Sequence, residues 1–197
     1  MSNLISTPIS PELRVALYGP GLDGLVDALH LNVAQDLDSA DVAIFAVSAL
    51  HGIDSANQEI WQDARELYIP SLIAITDLDK SEIDFDDMAA IAGKTLDPVV
   101  TPYLVLHADS GEPAALIDLD TLKVIRYEAG NREISESDPE HKLLVFEFRK
   151  EYLEAIEAAG VEAFTAALLF PALPLIDSLG MGYEEIAIFL RQLPMSR

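Results

Sequence analysis

Three short, almost unbroken apolar runs constrain what this chain can become: Leu13–Tyr18 (LRVALY), Asp41–Ser48 (DVAIFAVS) and Ser71–Thr76 (SLIAIT). A strand with one wet face alternates polar and apolar residues. A run without alternation reads as a strand covered on both faces, which is the habit of parallel sheets. The intervening stretches carry helical spacing. Leu22, Leu25, Val26 and Leu29 fall on one stripe of a helix over Leu22–His30, and Ile60, Trp61, Ala64 and Leu67 on one over Ala56–Leu67. A brief strand is expected near Leu31–Ala34. Strands alternating with helices imply right-handed crossovers and an α/β fold with a mostly parallel sheet.

The rhythm then changes. Pro102–Leu106, Ala114–Leu119 and Lys123–Tyr127 read as short strands separated by polar turns such as Asp109-Ser110-Gly111, the pattern of a small antiparallel insertion. A helix is expected over Glu140–Ala159, with Phe148, Tyr152 and Ile156 on its apolar side and Glu147, Glu151 and Glu154 on another. Ala166–Leu173 reads as a further buried strand, interrupted by Pro171, and Tyr183–Leu193 as a closing helix before Pro194. The expected organisation is one unit over 1–197. Its core spans about 13–97 and 160–197, with an α+β subdomain inserted over about 98–159.

Charge narrows the partners. Twelve Lys and Arg stand against 34 Asp and Glu, a net charge of −22. Such a surface repels nucleic acid and anionic membranes and attracts basic proteins; it also serves plain solubility. The absence of cysteine excludes disulfides and thiolate metal sites and suits a reducing cytoplasm. MSNLISTPIS lacks the basic start and apolar run of a signal peptide, and no stretch approaches the roughly 18 apolar residues of a membrane span.

Local signals for chemistry are sparse. The glycine-rich turn Gly19–Gly24 (GPGLDG) joins a strand to a helix, a place where phosphates bind, or where glycine simply fits the turn. The pairs Asp77/Asp79 and Asp118/Asp120 have D-x-D spacing, as in magnesium sites, but equally suit turns and helix caps. His30, His51, His107 and His141 show no ligand spacing. Asp84-Phe85-Asp86-Asp87 fits the acidic start of a helix better than a calcium site. No G-x-S-x-G elbow is present.

The segment SADVAIFAVSALHGIDSANQEIWQDARELYIPSLIAITDLDK, from Ser39 to Lys80, resembles the centre of the elongation factor G nucleotide domain. The likeness lies in an apolar strand ending VSA, a turn with Gly52, a helix carrying Trp61, then Pro70, a strand and a TxLDK ending. Ala115–Gly130 (ALIDLDTLKVIRYEAG) is similar to the β-hairpin of that family's inserted subdomain, and Gly180–Pro194 to its last helix with its LP boundary. The resemblance covers most of residues 13–194. It implies a stand-alone G domain of P-loop-NTPase-like fold.

Measured against that family, the nucleotide-contacting residues are altered. A P-loop reads G-x-x-x-x-G-K-[ST], its lysine neutralising phosphate and its hydroxyl holding magnesium. Here Gly19 and Gly24 keep the spacing, but Leu25 and Val26 stand at the lysine and hydroxyl positions, and Asp23 adds negative charge. Arg14 and Arg65 are the only Lys or Arg before Lys80, against twelve acidic residues. Of the base-recognition motif N-K-x-D, the stretch Thr76-Asp77-Leu78-Asp79 keeps only Asp79. The later serine–alanine loop falls near Pro174-Leu175-Ile176 with neither residue kept. The interval from His30 to Ser39, where both switch segments belong, holds only a few residues, so nothing remains for a terminal phosphate to order.

The expectation is a pseudo-GTPase: no catalytic residue, no cofactor, no metal, and an acidic module that binds a basic protein. The resemblance makes the ribosomal stalk protein the first candidate and Glu147, Glu151 and Glu154 its docking face; a solvated helix face is the plainer reading of those glutamates. Gly19, Gly24 and Asp79 are then remnants of a nucleotide site. Two alternatives stay open. One is a guanine-nucleotide binder or slow GTPase that uses backbone contacts, Asp79, GTP or GDP and Mg2+. The other is an unrelated small-molecule-binding α/β domain.

Overall fold

The structure, a computed structural model, describes residues 8–128 and 131–194. The chain enters β1 (Arg14–Tyr18), turns at the glycines into α1 (Asp23–Leu29), and returns through a two-residue strand, β2 (Asn32–Val33). It continues through β3 (Val42–Ser48), α2 (Ser55–Glu66), β4 (Ser71–Thr76), α3 (Phe85–Thr95) and β5 (Val99–Val100). After a long excursion it comes back as β10 (Phe170–Pro174) and closes with α6 (Tyr183–Leu190).

These strands form one six-stranded sheet in the order β2-β1-β3-β4-β10-β5, parallel at every pairing. The apolar runs behave as their lack of alternation requires: all seven residues of β3 and all six of β4 are buried. Helices cover the sheet. On one of them Trp61 is fully buried and meets Phe45 and Phe170 edge-on, at centroid distances of 4.9 and 5.2 Å. Its indole N–H donates to Asp97 Oδ2 at 2.7 Å, so the one polar atom of the largest core side chain is satisfied. Arg65 donates to the same oxygen at 3.1 Å and lies 4.4 Å over the Phe170 ring.

The excursion forms a second, antiparallel sheet of β6 (Tyr103–His107), β7 (Pro113–Asp118), β8 (Lys123–Glu128) and β9 (Asn131–Glu136), in sequential order. α4 (Pro139–Leu144) and α5 (Phe146–Ala159) follow. The single helix expected over Glu140–Ala159 is therefore two. Val145 divides them: it is buried, closes α4 and opens α5, so anchoring it turns the chain between the helices. Tyr152 and Ile156 pack on the core as expected, whereas Phe148 is exposed.

Other differences are local. β9 was not expected because NREISE has little apolar content; as an edge strand it needs only β8 as partner. The strand expected over Ala166–Leu173 begins at Phe170, after a turn in which Ala167 takes a positive φ. Pro171 is accommodated because the ladder with β4 starts at Ala172, while β5 on the other side is only two residues long.

A buried charge joins the second sheet to the closing helix. Glu185 of α6 has no exposed surface. Its Oε2 accepts from the Tyr127 hydroxyl at 2.6 Å, and its Oε1 from Arg132 Nη2 at 3.0 Å and Nε at 3.1 Å. Burial and the Glu185 charge push the Tyr127 phenol far above its usual range. Burial alone would lower the Arg132 pKa; the Glu185 charge and hydrogen bonds outweigh it and hold it up. Removing one member leaves the others desolvated and unpaired. Glu185→Ala is expected to lose about 3–5 kcal/mol in urea unfolding. Glu185→Leu combined with Arg132→Met is expected to lose clearly less, because no charge is then stranded. Because the Tyr103 and Tyr127 phenols hold their protons more tightly folded than unfolded, stability should be intact below pH ~10 and drain as pH rises above it. Tyrosine absorbance followed with circular dichroism checks this.

Candidate functional site

The carboxyl ends of β1, β3, β4 and β10 meet at the Gly19–Gly24 turn, the place where open α/β sheets hold ligands. The turn packs closely on its neighbours. Gly19 has φ +95°, and a Cβ there would come within 2.7 Å of the Ala46 carbonyl oxygen. Gly21 rests against the side chain of Thr76. A Cβ on Gly24 would meet Asp177 Oδ2 at 2.6 Å and the Tyr183 hydroxyl at 2.7 Å. Both glycines that keep the P-loop spacing thus have local packing reasons to be glycine.

Leu25 is fully buried in the core, and Val26, next to it in α1, is partly buried. Position 25 therefore feeds apolar contacts rather than presenting a head group to the turn. The cations before and just after β4 are each paired with an aspartate, two of them away from the turn. Arg14 is at the opposite end of β1, bound by Asp41 through Nη2 at 2.8 Å and Nε at 3.1 Å. Arg65 is held by Asp97 and the Ala167 carbonyl. Lys80 donates to Asp77 Oδ1 at 2.8 Å.

The residues after β4 form a connected set. Asp77, at φ +60°, accepts from Lys80 and from Ser48 Oγ, the latter at 2.7 Å. Ser48 Oγ in turn accepts from the backbone N–H groups of Leu50 and His51, each at 3.2 Å. The Lys80 and Ser48 hydrogen bonds hold the Asp77 carboxyl below the usual carboxylate range. Thr76 is buried, and its hydroxyl has no partner among the described residues. Asp79 accepts from Ser178 Oγ at 2.9 Å, and the Tyr183 hydroxyl donates to Asp177 at 3.1 Å. Burial and the nearby Asp177 push the Tyr183 phenol up to about 12.

The structure therefore brings Gly19, Gly24, Thr76, Asp77 and Asp79 to one end of the sheet. Ser48, Asp177, Ser178 and Tyr183 join them and were missed in the sequence. Ser48 had a visible signal, as a hydroxyl ending an otherwise apolar strand. Asp177 and Ser178 are separated from Asp79 by about a hundred residues and gave none. Beside this set opens a cleft of about 440 Å³, lined by Leu29, Tyr127, Arg132, Asp177, Ser178 and Tyr183 among others.

The remaining candidates lie apart. Asp118 is a turn residue: its carboxylate accepts from the backbone of Asp120 and Thr121 and from the Thr121 hydroxyl. Asp84 precedes α3, and Asp86 and Asp87 occupy its first turn. Among the described residues, no three His, Asp or Glu side chains are grouped to hold a metal ion. Glu147, Glu151 and Glu154 are exposed on α5, at a spacing that sets them on one face. No helix among the described residues is long and apolar enough to cross a membrane.

Comparison with known proteins bears on this geometry. No family model matches the chain. It is 25% identical over 177 residues to the elongation factor G-like protein of Mycobacterium tuberculosis, in strains CDC 1551 and H37Rv alike, covering 76% of this chain and 24% of that protein. A crystal structure of a protein from Thermus thermophilus superposes with a TM-score of 0.69 at 29% identity, over 81% of this chain and 27% of the other. The likeness to an elongation factor G domain stands. The chain spans about a quarter of the length of these relatives.

Because the Asp77 carboxyl is more acidic folded than unfolded, its contribution is present above pH ~4 and lost as pH falls through its lowered native value. Asp77→Asn is expected to reduce stability at pH 7 and to flatten the loss between pH ~5 and ~2. Urea unfolding across that range, compared with the unsubstituted chain, measures it.

Proposed function

We propose that this chain is a G-domain-like scaffold that has given up GTP chemistry and acts in the cytoplasm as an acidic protein-interaction module. The observation that carries this reading is position 25. Phosphoryl chemistry depends on cations placed around the polyphosphate, and this position is a leucine sealed in the core. No nearby cation among the described residues takes over, since Arg14, Arg65 and Lys80 are each bound by an aspartate and Arg132 by Glu185. Asp177 supports it further, because it sets a carboxylate against Gly24.

The partner proposed is basic. The net charge of −22 favours it, and α5 offers the exposed Glu147, Glu151 and Glu154, with the exposed apolar side chains Leu143 and Leu144 at the end of α4 and Phe146 at the start of α5. The likeness to elongation factor G makes the ribosomal stalk protein the first candidate and links the module to translation.

Titration calorimetry with GTP and GDP in the presence of magnesium is expected to show no binding at micromolar concentrations; a Kd near ~1 μM, worth about 8 kcal/mol, would overturn the reading. Purified stalk protein is expected to be retained by the immobilised chain at low salt and lost when Glu147, Glu151 and Glu154 are changed to Gln. No retention at low salt removes that partner.

One observation favours a second reading. Asp79, the residue that would pair with guanine, is near the surface, and its hydroxyl partner Ser178 is exchangeable. A weak guanine binder would open that bond. In that case Asp79→Ala abolishes the preference for guanine over adenine nucleotides in the same titration.

A further inference from the structure

The inserted subdomain and the core leave a second cleft between them, far in sequence from the glycine turn. It encloses about 400 Å³, within the roughly 300–1,000 Å³ typical of small-molecule sites. Four aromatic side chains line it: Tyr152 from α5 and Phe189 from α6, both part-exposed, and Tyr103 from β6 and Phe164 from the turn before β10, both buried at its wall. Phe164 and Phe189 are fixed edge to face, 5.3 Å apart at 80°. Two carboxylates, Asp118 and Asp120 of the β7–β8 turn, join them, with Ile156, Val161, Leu169 and Ile188 among the remaining lining.

The charged side chains that line this cleft are both acidic. Asp118 spends its oxygens on the N–H groups of its own turn and the Thr121 hydroxyl, which hold it in place without neutralising it. The Asp120 side chain is exposed. Neither carboxylate forms an ion pair among the described residues. The nearby Arg149 donates to the main-chain carbonyl of Asp120, at 3.2 Å. Both phenols register the field: burial and Asp118 push Tyr103 well above its usual range, while burial, Asp120 and Asp118 push Tyr152 up to about 12.

Aromatic walls exclude anions and attract cations through the negative faces of their rings. An apolar site for a neutral molecule has no use for two unpaired carboxylates, and a hydrated metal ion has no use for four aromatic rings. We propose that this cleft binds an organic cation, an alkylammonium or guanidinium group whose hydrocarbon stem lies on Tyr103, Tyr152, Phe164 and Phe189 while its charge faces Asp118 and Asp120. The site is independent of whether the glycine turn binds nucleotide. A free amine and a lysine or arginine side chain of a basic polypeptide present this same chemistry.

The test uses the full chain with tyrosine ring carbons labelled for NMR. Choline and butylammonium are titrated against 3,3-dimethylbutanol, the neutral isostere of choline. The cations are expected to shift the Tyr103 and Tyr152 ring signals, binding about tenfold more tightly than the alcohol, and Asp120→Asn and Tyr152→Leu are each expected to weaken them about tenfold. Asp120 is exposed, so its variant keeps the fold, which circular dichroism verifies. A blocked tri-lysine peptide distinguishes the sources. Binding more than about tenfold tighter than butylammonium assigns the site to a polypeptide side chain, and equal binding assigns it to a free amine. Equal affinity for cations and alcohol, or no shift of either tyrosine at about 10 mM cation, overturns the proposal.

Discussion

Everything in this molecule hangs on β3 and β4, strands with no wet face. Their thirteen residues are all buried, so the sheet is stable only if helices cover both sides. Parallel pairing requires crossovers that supply those helices. Trp61 on α2 shows how the cover is fastened: its ring meets β3 through Phe45 and β10 through Phe170, and its indole N–H reaches Asp97 beyond α3. The strand after the insertion is thereby tied to the part of the sheet built before it.

The same requirement makes the insertion tolerable. It leaves after β5 at the sheet edge and returns as β10 between β4 and β5, so no pairing in the centre is interrupted. The second sheet is joined to α6 through the Glu185 cluster, where Tyr127 and Arg132 satisfy a carboxylate that could not otherwise be buried. Directional hydrogen bonds at a seam fix orientation in a way that apolar contact alone does not. The cleft lined by Tyr103, Tyr152, Phe164 and Phe189 lies at that junction.

The parts of this architecture that rest on periodicity were legible in the chain. β1, β3, β4, α2 and α6 follow from apolar runs and helical stripes, and their edges fall within a few residues of the pattern. Elements whose existence depends on a neighbour were not legible. β5 has two residues and exists because β10 lies beside it; β9 is a polar edge ordered by β8. The break at Val145 follows from burial, which no local pattern encodes. The glycine turn divides the same way. Its residues, with Leu25 after Gly24, could be read directly, while the contacts from Asp177, Ser178 and Tyr183 arise only when β10 returns next to β4.

Leu25 carries a consequence for what the turn can accommodate. A side chain at this position is enclosed by core atoms, so a lysine introduced there would desolvate an ammonium, a penalty of several kcal/mol. The turn it would serve is meanwhile crowded by Asp177 and Tyr183 at Gly24. Building a phosphate site here would require the core to be repacked and the acidic side chain to leave in the same step. The packing therefore resists a phosphate site from two sides, the apolar core around Leu25 and the carboxylate beside Gly24.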